Sequence, residues 1–178
     1  MGRKAHLVAL SLIAAALHVM APAPAFSAQG PNLTGTFGLV VEQSDDIPRA
    51  IEGAVAKMNF VMRPLARSRL RVINTRYERL MIDASNDAVT IVADSRAPIC
   101  TPANGTAVAW RREDGELFNV SGEWEGTAFE QTFVSGTGRR INRYSLGPDG
   151  STLELQVEIS GGGLTGPMTY HLVYRRLS

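Results

Sequence analysis

The chain has few of the residues that most often form metal sites and catalytic nucleophiles. Its 178 residues include a single cysteine, Cys100, and three histidines, of which His6 and His18 fall within the first 28 residues. A metal site needs clustered histidine, cysteine or carboxylate ligands, and Cys100 and His171 stand far apart in the sequence. One cysteine also excludes an internal disulfide, so an exported chain must depend on its hydrophobic core. We therefore predict no metal site, no cofactor and no catalytic residues.

Two residue pairs are the remaining candidates for catalysis, and we leave open whether the protein is an enzyme. Cys100 and His171 could act as nucleophile and base, but neither lies in a local catalytic signature. Glu123 and Glu125 flank Trp124 and could act as acid and base. Alternating glutamates are more typical of the solvent-exposed face of a strand, which is the interpretation we prefer.

Long apolar runs are absent except at the N-terminus, which has the three parts of a secretory signal peptide. Arg3 and Lys4 give it a positive start, residues 7–20 are almost entirely apolar, and residues 21–28 are rich in alanine and proline. The apolar run is short for a membrane span, and no second run follows it. We predict cleavage after about residue 25–28, a periplasmic or secreted location, and one mature domain, residues 29–178, with no transmembrane segment.

The mature chain also lacks a strong charge of either sign. Cleavage removes two of the 18 basic residues, so 16 remain against 17 acidic residues. This balance gives no reason to expect nucleic acid as a partner. The segment 57–79 is nevertheless basic, with seven lysines and arginines against Glu78. A basic amphipathic segment can make weak contact with an anionic surface, or it can be a solvated face balanced by acids elsewhere.

Most of the mature chain is typical of short strands. In residues 151–160, for example, Leu153, Leu155, Val157 and Ile159 alternate with polar residues and share one face. Glycine-rich turns separate the segments, and no helical pattern lies between them, which favours an antiparallel sheet. The fold class we predict is all-β, an antiparallel up-and-down meander barrel of about eight or nine strands, because closure removes exposed edges.

Two segments differ from this pattern. Apolar residues at i, i+4 and i+7 spacings predict one amphipathic helix after the first strand, from about residue 46 to 63, with Asp46 as N-cap and Pro64 at its end. Its apolar stripe would cover an open end of the barrel. The stripe includes Ile47, Ile51, Ala54, Val55, Met58, Val61, Met62 and Leu65. Residues 95–105 are predicted to form a loop at the barrel rim, because Pro98 and Pro102 exclude a central strand.

A few residues resemble the calycin pattern of lipocalins and related small barrels. Gly35-Thr36-Phe37 lies where that family has G-x-W on its first strand, and Arg175-Arg176 ends the last strand, where the family places a basic residue stacked on the aromatic ring. The turn Asp149-Gly150-Ser151-Thr152-Leu153 is similar to turns of small secreted bacterial lipocalin-like proteins. The resemblance implies a closed barrel that binds a small molecule.

The candidate ligand site consists of aromatic residues on the predicted strands with a few polar groups, as in most small-molecule pockets. Its residues are Trp110, Phe118, Trp124, Phe129, Gln131, Phe133, Arg143, Tyr144 and Tyr170. We predict an exported soluble barrel that binds a small apolar or amphipathic molecule. The alternative is a structural or interaction module of the cell envelope with a filled core and no ligand, since small barrels are often packed solid.

Overall fold

The computed structural model describes residues 32–177, so the signal peptide predicted for residues 1–28 lies outside the described residues. Ten antiparallel strands form one sheet, with two helices between the first and second strands. The strands are β1 Gly35–Leu39, β2 Arg79–Ala84, β3 Ala88–Ala93, β4 Ile99–Pro102, β5 Val108–Arg111, β6 Leu117–Glu125, β7 Ala128–Ser135, β8 Gly138–Leu146, β9 Thr152–Gly161 and β10 Met168–Arg176. A 3₁₀ turn, Val41–Gln43, leads to α1, Ile47–Ala56, and α2, Arg63–Ile73.

The sheet curls into a nearly closed barrel. Strands that are consecutive in the chain pair with each other, except β4 and β5, and β1 also pairs with β10. The order is β4-β3-β2-β1-β10-β9-β8-β7-β6-β5. The two ends of the sheet, β4 and β5, lie in contact without pairing, and a single bridge joins Asn104 to Glu123 of β6. The prediction of an all-β antiparallel meander barrel is confirmed, with ten strands in place of eight or nine.

The additional strand is β4, in the segment where the sequence predicts a loop. Pro102 ends β4 opposite Ala88 of β3. Proline is tolerated there because β4 is an edge strand, whose free side has no ladder hydrogen bonds to lose. The prolines therefore exclude a central strand, as expected, but they do not exclude a short edge strand. Cys100 lies on β4 with its side chain exposed.

Helix α1 begins as predicted and ends earlier. The Asp46 carboxylate accepts a hydrogen bond from the Arg49 amide at 3.1 Å, which satisfies one of the free N–H groups of the first turn. Ile47, Ile51 and Val55 are buried against the sheet. The helix ends at Ala56, and the Arg63 guanidinium donates a hydrogen bond to the Ala56 carbonyl at 2.9 Å.

The second helix, α2, is absent from the sequence prediction. Pro64 stands in its first turn, where a missing N–H costs nothing, so the proline starts this helix and does not end α1. Val61, Met62 and Leu65 are exposed, and the predicted apolar stripe is wrong beyond Met58. Within residues 32–177, neither helix is long and apolar enough to span a bilayer.

One end of the barrel is closed by Arg176. Its guanidinium donates to the backbone carbonyls of Thr34 at 2.6 Å, Gly150 at 3.0 Å and Asn32 at 3.2 Å. It also stacks on the Phe37 ring, 4.7 Å from the centroid. The aromatic and basic residues that the calycin resemblance singles out are therefore in contact, and Arg176 is the arginine that makes it.

Replacement of Arg176 by methionine should destabilise the protein by about 2–3 kcal/mol, since it removes charged hydrogen bonds and a cation–π contact. Arg175→Met is the matched control, because Arg175 is exposed and its loss should change stability by less than about 0.5 kcal/mol. Urea unfolding of the two variants measures both values. Equal free energies of unfolding would contradict a closing role for Arg176.

Candidate ligand cavity

The barrel contains a cavity of about 240 Å³ on the side of the helices. Strand residues that point inward and the segment following α2, from Ile73 to Tyr77, line it. The strand contribution combines aliphatic, aromatic and polar side chains, and its aliphatic members are Leu80, Ile91, Ala93, Ile99, Leu155, Ile159 and Leu172. Charged residues of the β3–β4 and β5–β6 loops lie at the mouth. The cavity is thus an apolar space with a polar opening.

Three aromatic rings form one wall of the cavity. Trp110 lies 5.7 Å from Phe118 and 5.9 Å from Phe133, measured between ring centroids, and Phe118 lies 6.4 Å from Phe133. The tilted and edge-on arrangements are those that aromatic pairs prefer. The three residues come from β5, β6 and β7, so alternation along three adjacent strands places them side by side.

The structure brings five of the nine predicted site residues to the cavity. They are Trp110, Phe118, Gln131, Phe133 and Tyr144. Trp124 and Phe129 instead pack against each other with centroids 5.3 Å apart and do not line the cavity. Tyr170 is buried in the core, where its hydroxyl reaches the cavity through Arg140.

Arg143 does not lie at the cavity, because it occupies an outward position of β8. Its guanidinium pairs with Glu125 of β6 and lies 3.8 Å from Glu130 of β7. Both partners are carboxylates of the protein, so Arg143 is neutralised on the outer surface. Burial, followed by repulsion from Glu125, raises the pKa of the Glu130 carboxyl above its usual range.

The arginine inside the barrel is Arg140, which sequence reasoning missed. Its Nε donates to Asn142 Oδ1 at 2.8 Å and its Nη2 to Tyr170 Oη at 3.2 Å. Asn142 in turn donates to Tyr144 Oη at 3.1 Å. Alternation along the strand could have identified it. Arg140 and Asn142 lie four and two positions before buried Tyr144 and so share its inward face, whereas Arg143 lies on the opposite face.

Buried tyrosines surround this network. Burial raises the pKa of Tyr144 to about 12, and the positive charge of Arg140 opposes part of that effect. Burial also raises the pKa of Tyr170 and of Tyr174. Elsewhere in the cavity wall, Gln131 donates to Thr101 Oγ1 at 2.7 Å. The interior polar groups are therefore hydrogen-bonded to one another and uncharged, apart from Arg140.

Ion pairs hold the mouth of the cavity. Arg96, in the β3–β4 loop, lies 3.7 Å from Glu113 in the β5–β6 loop and stacks on Tyr77, 5.1 Å from its centroid. Arg112 donates to Asp114 at 2.6 Å and to Glu116 at 2.6 Å. The hydrogen bond from Arg112 lowers the pKa of Asp114 to about 2. Each acidic residue at the mouth is thus paired with an arginine of one of the two loops.

The two residue pairs considered for catalysis differ in how close the structure brings their members. Cys100 of β4 and His171 of β10 are separated by three strands of the sheet. Glu123, Glu125 and Glu130 place carboxylate oxygens within 4.8 Å of one another on the outer face. Arg143 lies among them and pairs with two of the three, so the group is arranged as a surface ion-pair cluster.

Comparisons with known proteins give matches in structure. No family model and no curated protein matches the sequence. A heat-soluble (SAHS) protein of Ramazzottius varieornatus has a TM-score of 0.54 at 10% identity, covering 83% of this chain and 97% of that one. Fatty-acid-binding protein 1 of Echinococcus granulosus has a TM-score of 0.51 at 11% identity, covering 82% and 98%.

A Schistosoma mansoni fatty acid binding protein, in complex with arachidonic acid, has a TM-score of 0.51 at 15% identity. That match covers 82% of this chain and 96% of the other. At these identities the likeness is one of fold. The chain therefore has the calycin-like β-barrel fold that the resemblance in its first and last strands implies.

The raised pKa of Tyr144 makes stability fall in alkali. Below pH 10 both states carry the phenol proton, whereas between pH 10 and about 12 the unfolded state loses it first. Tyr144 should therefore contribute a loss of up to about 2–3 kcal/mol over that range. Urea unfolding of Tyr144→Phe should show a shallower decline than the native sequence. Parallel declines in the two proteins would contradict the burial of an uncharged phenol here.

Proposed function

We propose that the protein is exported and binds a small apolar or amphipathic molecule in the barrel cavity. The observation that carries the proposal is the apolar cavity of about 240 Å³ with polar groups gathered at the helix side. Ligand sites in proteins typically combine an apolar lining with a few placed polar groups. Two structural neighbours with the same fold are fatty-acid-binding proteins by name, which supports the same class of ligand for this chain.

The size of the cavity favours a small ligand. Its volume is slightly below the range of roughly 300–1,000 Å³ that is usual for sites of drug-sized molecules. Phe129 and Trp124 fill the interior beyond the cavity, which limits the depth to which a chain can extend. We therefore favour a ligand with a short or medium apolar chain over a long one, in contact with Trp110, Phe118 and Phe133.

The alternative function is that of a structural or interaction module of the cell envelope with no small-molecule ligand. It would use the outer face of the barrel or the basic segment 57–79, and the cavity would stay empty or hold water. Apolar cavities of this size are costly in an interior that is otherwise close-packed, which favours a ligand. Binding measurements separate the two functions.

The cavity can be filled by mutation to test ligand binding. Ala93 lines the cavity, so Ala93→Trp should occupy the space and lower the affinity for an apolar fluorescent dye at least tenfold. Ala109→Trp is the control, because Ala109 lies on an exposed position of β5 and the change should leave the affinity unaltered. Fluorescence titration gives both affinities. A native protein that binds neither such dyes nor fatty acids would leave the interaction module as the better function.

One surface feature favours a second function, contact with an anionic membrane surface. The turn between the helices exposes three apolar side chains, with Phe60 76% exposed, Val61 66% and Met62 49%. Exposed Lys57 and Arg69 lie on either side of this turn in the sequence. An apolar tip flanked by cations is the arrangement by which peripheral proteins insert into the surface of an anionic bilayer.

The double variant Phe60→Ser with Val61→Ser should bind vesicles containing phosphatidylserine at least tenfold more weakly than the native protein, because it removes apolar area that would enter the bilayer. Met81→Ser removes a comparable exposed side chain, 42% accessible, from β2 and should have no effect. Co-sedimentation at low salt measures the binding. If the native protein does not sediment with these vesicles, the segment is a solvated face.

A further inference from the structure

Helix α2 carries an exposed stripe on its outward face. Leu65, Arg69 and Val72 follow one another at i, i+4 and i+7, so they lie above one another on the helix. Leu65 is 48% exposed and Val72 is 69% exposed. Arg69 is exposed between them and has no ion pair among residues 32–177. A stripe of this composition matches a surface that is acidic and partly apolar.

The other arginines within α2 are engaged in this chain. Arg67 and Arg71 pair with Glu52 of α1. Arg63 donates to the Ala56 carbonyl at 2.9 Å. Arg69 is therefore the guanidinium of this helix that can pair with another molecule without giving up a contact in its own chain.

A groove of about 350 Å³ lies on the outer face of the sheet and has the opposite charge. It crosses β7 to β10, and Asp45, which precedes α1, lies at its edge. The carboxylates in its walls are those of Asp45, Glu130 and Glu158. Glu158 of β9 stands between Ile141 of β8 and Thr169 of β10 in the register of the sheet. The groove thus places an exposed acid beside an aliphatic side chain.

The chain itself only partly balances the acids of the groove. Glu130 lies 3.8 Å from Arg143, whose guanidinium also pairs with Glu125. Asp45 accepts a hydrogen bond from a β10 amide at 2.8 Å but pairs with no cation of residues 32–177, and neither does the exposed Glu158. Three carboxylates therefore face one shared arginine, which leaves the groove negative.

One atom of the groove residues lacks a hydrogen bond. Within residues 32–177, the Nε2 atom of His171 is the buried side-chain nitrogen or oxygen that has no hydrogen-bond partner. The Glu154 carboxylate lies 3.8 Å from it, which is beyond hydrogen-bond distance. Buried polar atoms are nearly always hydrogen-bonded in folded proteins. The unmet atom therefore favours a partner on this face of the sheet.

We propose that the outward face of α2 in one copy of this chain docks into the outer groove of a second copy. Arg69 of the helix then faces Glu158 of the groove, with Leu65 and Val72 on either side of it. The two surfaces come from one sequence and have opposite charges, so a second copy supplies what each of them lacks.

The size of the contact favours a closed pair. The eleven residues of α2 make a helix only about 16 Å long, so one such contact is small. Stable interfaces bury about 1,200–2,000 Å² in total. Each copy carries both surfaces, so a two-fold dimer makes the contact twice. Neither the stripe nor the groove lines the cavity, so the dimer does not depend on the proposed ligand-binding function.

Charge reversal on each surface tests the pairing. Arg69→Glu and Glu158→Lys should each weaken self-association about tenfold or more, since each puts like charges opposite one another. An equimolar mixture of the two variants should recover the native affinity to within about threefold, because opposite charges then meet at both contacts. Arg79→Glu and Asp87→Lys are the matched controls. Both residues are exposed and lie outside the two surfaces, so these changes should leave the affinity unaltered.

Sedimentation velocity measures the association at concentrations up to about 1 mM, where even weak pairs form. The native dimer should weaken as salt is raised, because salt screens exposed charges. Equal urea midpoints would show that the variants are folded.

A native protein that stays monomeric throughout would overturn the dimer, and loss of vesicle binding in Arg69→Glu would then assign this helix face to a membrane. Association that neither reversal weakens, or a mixture that stays monomeric, would overturn these surfaces. Assemblies larger than two copies would overturn the two-fold closure.

Discussion

The contacts of Arg176 are the constraint on which the arrangement of the interior depends. One guanidinium joins the segment before β1, the turn before β9 and the end of β10, and its face covers the Phe37 ring. These segments are distant in sequence, so the barrel cannot close at this end until the whole meander is in place. Leu33 and Phe37 are fully buried at this end of the barrel.

A glycine on β6 leaves room for a tightly packed aromatic pair in the barrel. At Gly122 of β6, a Cβ atom would lie 2.4 Å from the Phe129 ring and 2.9 Å from the Thr101 methyl group. The missing side chain leaves room for the Phe129 ring, which packs against Trp124. Neither aromatic residue lines the cavity, so this packed pair lies outside the hollow part of the barrel.

The sequence predicts the fold more completely than it predicts the candidate ligand site. Alternation and turn residues predict the meander, and the residues of β1 and β10 predict their contact. The polar helix α2 was missed because Leu70 is its only buried residue, so it has little apolar periodicity to recognise. Arg140 and Arg143 differ by three positions on one strand, so they lie on opposite faces, and the register with neighbouring strands shows which of them faces inward.

The two helices differ in the contacts that attach them to the barrel, and this difference determines which of them can detach more easily. Helix α1 buries three side chains in the core, whereas α2 buries one. Polar contacts also attach α2 to α1. Arg67 and Arg71 pair with Glu52 in a solvent-exposed cluster that contributes little to stability, and Arg63 donates to the Ala56 carbonyl. The C-terminal end of α2 is held by polar contacts, with Asn74 as its C-cap and Arg140 donating to Ile73 and Asn74. Helix α2 therefore has fewer buried apolar side chains to expose than α1 if either helix detaches from the barrel.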